Sequence, residues 1–274
     1  MSTIAYDPIK DRFAAFIKKS RFLRSIFYSL LDLFFLRSWH VRSVVRSLGT
    51  EFSKKNSLKI LDAGNGFGQY DRFLLNTFPN ASILAVDVKD DYLADCSFYF
   101  EKAVAEKRIE FKTVDLLEMN ETAPEFDFAL CVDVLEHIED DVKVIRNCAN
   151  RLKSKGYFLM HSPSHYAEDD ADGDESFVGE HARAGYSKED ISNKMKLAGL
   201  NPIKVHYSYG TAGHAAWVML IKYPMMWLTF SKYLVVLLPF YYAITLLPGL
   251  FLMNIDMFTK NEKGTGIYAL AQKA

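Results

Sequence analysis

Cysteine is scarce in this chain. Cys96, Cys131 and Cys148 are three among 274 residues, an odd number with no CxxC pair and no metal-ligand spacing. That excludes a disulfide framework and a cysteine-held metal, and it fits reduced, buried thiols in a cytosolic protein. There is no Gly/Ser/Pro-rich linker, internal repeat or low-complexity tract, which excludes a solenoid and a string of loosely joined modules. A secretory leader is missing as well. Asp7, Lys10, Asp11 and Arg12 lie within the first seventeen residues, and the apolar run 26–36 holds Asp32 and meets "RSWH" instead of a small-residue cleavage site. The most unusual absence is of charge: residues 233–255 carry none, a length sufficient in principle to cross a bilayer.

Half of the residues are hydrophobic and 24% are charged, enough for one large domain with an appendage and too apolar for disorder. The formal net charge is −1, but residues 1–60 carry 12 Lys/Arg against 4 Asp/Glu, leaving the remainder acidic. A basic leader beside so much apolar sequence points to an anionic membrane surface and away from nucleic acid. Within residues 9–52, Phe13, Phe16, Phe22, Leu23, Ile26, Phe27, Leu30 and Phe34 recur at helical spacing, with Lys18, Lys19, Arg21 and Arg24 between them. Two or three helices are expected there.

From residue 58 the texture changes. "LKILD", "SILAVD", "IEFKTVD", "FDFALCVD" and "GYFLMHS" read as buried strands, with helical patterns near 68–78, 89–105, 139–153 and 187–198. Ser187 and Asp190 form a capping-box signature for the last. Strands alternating with helices imply a parallel sheet covered on both faces. Two further strands, 201–210 and 264–272, close the pattern.

The most specific motif is "ILDAGNGFGQY" (60–70): a strand ending in Asp62, then Gly64, Asn65, Gly66 and Gly68, opening into a helix. Such a loop turns sharply and lets backbone N–H groups approach a ligand. Gln69 stands where a dinucleotide fingerprint wants Gly or Ala. With "AVDV" (85–88), "VDLLEM" (114–119) and "CVDVLEHIED" (131–140), the chain resembles the class I S-adenosylmethionine-dependent methyltransferases, particularly the ubiquinone- and menaquinone-biosynthesis group, over about 58–210 plus 264–272.

The resemblance implies a seven-stranded Rossmann-like sheet and S-adenosylmethionine as cofactor. It implies that Gly64, Asn65, Gly66 and Gly68 flank the methionine part, that Asp87 with Val88 receives the ribose, that Asp115 and Leu116 meet the adenine, and that Val132 lines the site. Asp62 either touches cofactor or orients the loop, and Asp115 is alternatively a helix N-cap.

A hydroxyl acceptor would need a base, and histidine is the usual choice. Glu136 and His137 form the family's Glu-His pair, His161 ends the fifth strand, and His165 and His181 flank the acidic loop 165–187. That loop fails a calcium pattern: counted from Asp170, the glycine position holds Glu175 and the twelfth holds His181. A solvated lid is the reading, with no metal.

The division expected is a basic helical extension (1–52), a cofactor-binding domain (53–210 with 264–274) and an apolar insertion (211–263). Strands six and seven must meet in one sheet, so a single membrane crossing between them is excluded. Pro239 and Pro248 read as helix breakers, with a hinge near Ser231–Lys232. Trp217, Tyr223, Trp227, Tyr233, Tyr241 and Tyr242 suit the headgroup zone. The expectation is a methyltransferase, peripheral or monotopic at the cytosolic face of a membrane, acting on an apolar or lipid-linked acceptor. The alternatives are a homodimer through the insertion acting on a soluble small molecule, and a non-catalytic membrane-bound cofactor-binding protein.

Overall fold

The structure, a computed structural model, describes residues 20–119, 123–170 and 182–274. The helices are α1 (Arg21–Phe34), α2 (Leu36–Ser47), α3 (Gly49–Phe52), α4 (Gln69–Thr77), α5 (Asp90–Tyr99), α6 (Glu101–Ala105), α7 (Asp141–Arg151), α8 (Lys188–Leu197), α9 (Thr211–Trp217), α10 (Tyr223–Phe230) and α11 (Leu238–Phe258). The strands are β1 (Leu58–Ala63), β2 (Ala81–Asp87), β3 (Ile109–Thr113), β4 (Phe126–Val132), β5 (Leu152–Pro163), β6 (Leu200–Ser208) and β7 (Gly266–Lys273). They form one sheet in the order β3-β2-β1-β4-β5-β7-β6. All pairs are parallel except those of β7, which runs antiparallel between β5 and β6.

Period-two alternation divides the inner strands between two cores. Leu61, Ala129, Cys131, Phe158 and Ala269 face α7 and α8 on one side. Ile60, Phe128, Leu130, Leu159 and Leu270 face α2 and α4 on the other. The strand order reverses between β1 and β4, where open α/β sheets place ligands at the strands' carboxyl ends. All seven strands expected from the sequence are present, and Ser187 caps α8 by accepting the N–H of Asp190 at 3.0 Å.

The N-terminal helices cover that carboxyl edge. Ser20 caps α1, and the extended residue Phe35 breaks it from α2. Tyr28 is fully buried, and both its hydroxyl and Arg24 Nη2 donate to the carbonyl of Phe67 in the glycine loop, the latter at 3.0 Å. Gln69 donates to Asp32 at 2.9 Å and to Ser38 at 2.7 Å. The basic extension is thus only partly free to face a membrane. Arg24 is buried against Tyr28 and Cys96, Arg37 pairs with Asp133, and Arg42 pairs with Asp32. Lys18 and Lys19 lie outside the described residues.

The insertion is a helical hairpin. α9, a π-helical stretch (Val218–Lys222) and α10 run out, a 3-10 turn (Lys232–Leu237) follows Ser231, and α11 runs back. The hinge expected near Ser231–Lys232 is therefore present. Pro224 follows directly on the π-helical stretch, and Pro239 sits in the first turn of α11, just after the 3-10 turn. Pro248 is carried inside α11. Tyr241 and Tyr242 face inward, donating to the carbonyls of Met219 (2.7 Å) and Leu220 (2.9 Å) across the hairpin. A third core of Leu36, Ala216, Leu220 and Met253 joins the hairpin to α2. Its outer face is bare: Phe240 (71%), Ile244, Leu247, Phe251 and Phe258 (85%) are exposed along one stripe of α11.

Candidate active site

The loop between β1 and α4 carries three left-handed glycines, Gly64 (φ 87°), Gly66 (φ 54°) and Gly68 (φ 74°). At Gly64 a Cβ would lie 2.2 Å from Val134, so the β1 and β4 loops approach too closely for any side chain. At Gly66 a Cβ would meet nothing within 4 Å, leaving open space in front of the backbone. The Gly66 N–H donates to Asp87 Oδ2 at 2.8 Å, and the Lys89 N–H donates to Asp87 Oδ1 at 3.0 Å. Each carboxylate oxygen keeps acceptor capacity beyond these bonds. Val88 beside it is 61% exposed and offers an apolar surface.

Asp62 lies beneath this loop, almost fully buried with Asp71 of α4. Burial pushes Asp62 up to about 7, and burial next to that carboxyl raises Asp71 well above the usual range. Asn65 donates to Asp71 Oδ2 and closes the cluster. Asp62 is tied to the loop through the side chains of Asn65 and Asp71. Asp71 escaped the sequence reading, although an acid in the first turn after a glycine loop was the available signal. Asp115 is exposed, and its Oδ1 accepts the Leu117 N–H at 2.9 Å in a turn; among the described residues no helix starts there for it to cap. The Leu116 side chain is buried in the core, with its carbonyl held by Asn147 at 2.8 Å. Val132 is half-buried at the end of β4.

Asp133, one residue on, organises the acceptor side. Its φ is 53°, unusual for a residue with a side chain, and its N–H donates to the His161 carbonyl at 2.9 Å. Its carboxylate receives Arg37 from α2 and His161 Nδ1 at 3.1 Å. Burial alone would raise this acid, but the Arg37 guanidinium and His161 overcome it and hold Asp133 down to about 2. His161 is 4% exposed, and burial lowers its pKa, so with Nδ1 donating to Asp133 its Nε2 accepts from the Ser208 hydroxyl at 3.1 Å. Both ring nitrogens are committed inside the protein.

His137 sits on a surface turn. It ends the 3-10 turn Leu135–His137, is exposed, and lies close enough to Asp133 for its charge to be felt there. Glu136 is buried and accepts the Ser162 hydroxyl at 2.6 Å, while its carbonyl receives the Ala182 N–H at 2.8 Å. It fastens the turn to β5 and to the end of the acidic loop. His165 Nδ1 lies 3.3 Å from the Tyr186 carbonyl. His181 lies outside the described residues. Among the described residues, no group of three or more His, Cys, Asp or Glu side chains could hold a metal ion.

Burial raises Glu136 to about 8, with the negative charge of Asp133 adding to the effect. The folded chain therefore keeps a proton that the unfolded chain releases near 4.5. This contribution to stability is greatest below about 4.5 and falls as pH rises toward about 8. Glu136→Gln, which retains the acceptor for Ser162, should melt with the wild type at the acid end of that window and several degrees above it at the alkaline end. Thermal melts across the window check this, and an equal offset at both ends would contradict it.

The strand order and the glycine loop at its reversal define the class I methyltransferase fold. A family model described as "Methyltransferase domain" matches residues 60–156, and this chain carries that domain, with S-adenosylmethionine as its cofactor. The chain is 34% identical over 106 residues to the human mitochondrial ubiquinone biosynthesis O-methyltransferase (38% of this chain, 28% of that protein). It is 26% identical over 144 residues to phosphoethanolamine N-methyltransferase 1 of Triticum aestivum (52% of this chain, 28% of that protein).

The chain thus spans between 28% and 43% of the length of the curated relatives it matches. Among solved structures it is similar to phosphoethanolamine N-methyltransferase 2 of Haemonchus contortus in complex with S-adenosyl-L-methionine (TM-score 0.57, 19% identity, 95% of this chain and 60% of that one). It is also similar to the [4+2]-cyclase SpnF (TM-score 0.56, 14% identity, 84% and 79%). At such identities these structures speak for the fold alone.

The residues fit the cofactor on geometry: open space before Gly66, a carboxylate at the end of β2 suited to a diol, and apolar Val88 next to it. Asp87→Ala should weaken binding of S-adenosylmethionine by about 1.5–3 kcal/mol, the range for hydrogen bonds to a charged group. Titration calorimetry on the folded variant reads this, and unchanged affinity would remove Asp87 from the site.

Proposed function

We propose that this chain transfers a methyl group from S-adenosylmethionine to an apolar or lipid-linked acceptor at a membrane surface. When bound, the cofactor supplies an electrophilic methyl on a sulfonium. The protein aligns the acceptor against it and, for a hydroxyl acceptor, accepts the proton. On this reading His137, exposed near the ionised Asp133, takes that proton. Asp133, clamped by Arg37 and His161, holds the floor of the acceptor side, and α1 and α2 limit access of water to the glycine loop.

The observation that carries the acceptor class is the bare apolar stripe of α11. The helical stretch Lys232–Phe258 is long and apolar enough to cross a membrane, and almost none of it is buried. Yet the hairpin leaves β6 and returns to β7 where Ser208 pairs with Gly266, so both ends lie on one side. A monotopic hairpin satisfies both facts.

The test combines localisation with chemistry. Phe240→Ser, Ile244→Ser, Leu247→Ser and Phe251→Ser together should release the enzyme from lipid vesicles while its melting temperature holds, because these side chains are already exposed. With labelled S-adenosylmethionine and a membrane extract, the wild type should place label in the organic phase and the variant should not. The rival reading rests on the same stripe, covered by a second copy. A wild type that sediments as a dimer, ignores vesicles and labels only water-soluble acceptors would establish it instead.

A further inference from the structure

A cleft of about 370 Å³ opens between α2 and the last turn of α11. One wall is the outer face of α2, where Trp39, Arg42, Ser43 and Arg46 follow helical spacing, while Val41, Val44 and Val45 turn into the core. The other wall is the end of α11, with Met257 and Phe258. Both guanidinium groups lie over the ring of Phe73, at 4.5 Å for Arg42 and 5.3 Å for Arg46. Arg42 also meets Asp32 at 2.7 Å, and its buried Nε has no hydrogen-bond partner among the described residues. Arg46 is exposed, and the contact described for it is the ring, which leaves its N–H edges available. Two cations against one carboxylate leave the cleft positive.

This combination is particular. A cationic wall made of arginines held by ring stacking presents planar forks suited to a phosphate. The facing wall is apolar, and Phe258 is the last residue of the bare stripe that runs back along α11 through Phe251, Leu247, Ile244 and Phe240. A ligand seated here would have an anionic head among Arg42, Ser43 and Arg46 and hydrocarbon lying along α11. Charge complementarity and continuity with the exposed stripe name the same occupant. We propose that the cleft binds the phosphate of an anionic phospholipid within the bilayer on which the hairpin lies. The site is separate from the methyl-transfer site, and the proposal rests on the membrane reading given above.

The experiment is sedimentation of the full chain with vesicles of phosphatidylcholine alone or mixed with phosphatidylglycerol. Wild type should favour the mixed vesicles. Arg42→Gln with Arg46→Gln should weaken that binding about thirtyfold, from roughly 1 kcal/mol for each cation near an anionic surface, and leave binding to phosphatidylcholine unchanged. Arg46→Gln alone, which keeps the Arg42–Asp32 pair, should give about fivefold on the same basis, so the result stands even if the double variant misfolds. Lys143→Gln with Lys196→Gln removes equal charge from exposed positions on α7 and α8, across the sheet, and should change binding less than twofold.

Equal losses in the lysine and arginine variants would overturn the cleft as the site. Calorimetric binding of soluble glycerol phosphate by a wild type that shows no preference for the mixed vesicles would overturn a lipid as its occupant. If wild type binds both kinds of vesicle equally, the headgroup site fails and the membrane reading stands. If it binds neither kind, the membrane reading fails too, and calorimetric binding of S-adenosylmethionine shows whether the methyltransferase assignment survives.

Discussion

Replacing His137 by alanine should lower turnover on the order of 10²–10⁴-fold with a hydroxyl acceptor, while affinity for S-adenosylmethionine is kept. Four histidines stand as candidates for the base in the sequence, His137, His161, His165 and His181, and the structure describes the first three. His161 has both ring nitrogens occupied, by Asp133 and Ser208, and reaches no acceptor without breaking one of those bonds. His137 is exposed on a turn that Glu136 pins to β5. Its variant should therefore fold normally and fail in chemistry, whereas His161→Ala should lower thermal stability first. Single-turnover measurements across the neutral pH range distinguish the two. Full activity in His137→Ala over that range would remove it as the base and direct attention to His181.

The second large effect concerns stability. Asp256→Ala should destabilise the fold by about 3–5 kcal/mol, the cost of breaking a buried polar pair by removing one partner. Asp256 is fully buried near the end of α11. Its carboxylate lies 2.9 Å from His40 Nε2, accepts the Gly210 N–H at 2.7 Å and receives Asn261 Nδ2 at 3.0 Å. Alanine leaves all three groups without this partner where water does not reach. Chemical denaturation measures the loss. A change below about 1 kcal/mol would mean that the site relaxes or admits water, and that the hairpin is not held through this residue.

The sheet was legible because its signal is local. Period-two strands, helical stripes and capping residues declare themselves within ten residues, and the glycine loop carries its own conformational demand. Asp87 was legible for the same reason, standing at the end of a strand. Asp133 and Asp256 were not, because their roles depend on partners far along the chain: Arg37 is 96 residues from Asp133, and His40 is 216 from Asp256. An arginine between apolar helical residues reads as a solvated or membrane-facing cation, yet Arg24 and Arg37 turn inward. Pro224 and Pro239 stand where the helix type changes, while Pro248 is carried inside α11.

The pairing of Ser208 with Gly266 carries a consequence for how such a chain can vary. The register of β6 and β7 is set by their own residues, up to the last pair before the hairpin departs. Lengthening, shortening or exchanging the distal hairpin leaves every strand in place, provided that the stub bearing Asp256 is retained. If the hairpin selects a surface as proposed, that part can drift at the pace of a loop, while the part that performs the chemistry stays under the constraints of a closed sheet. On that proposal, chimeras that exchange only the distal hairpin would change where the enzyme works and leave untouched what it does.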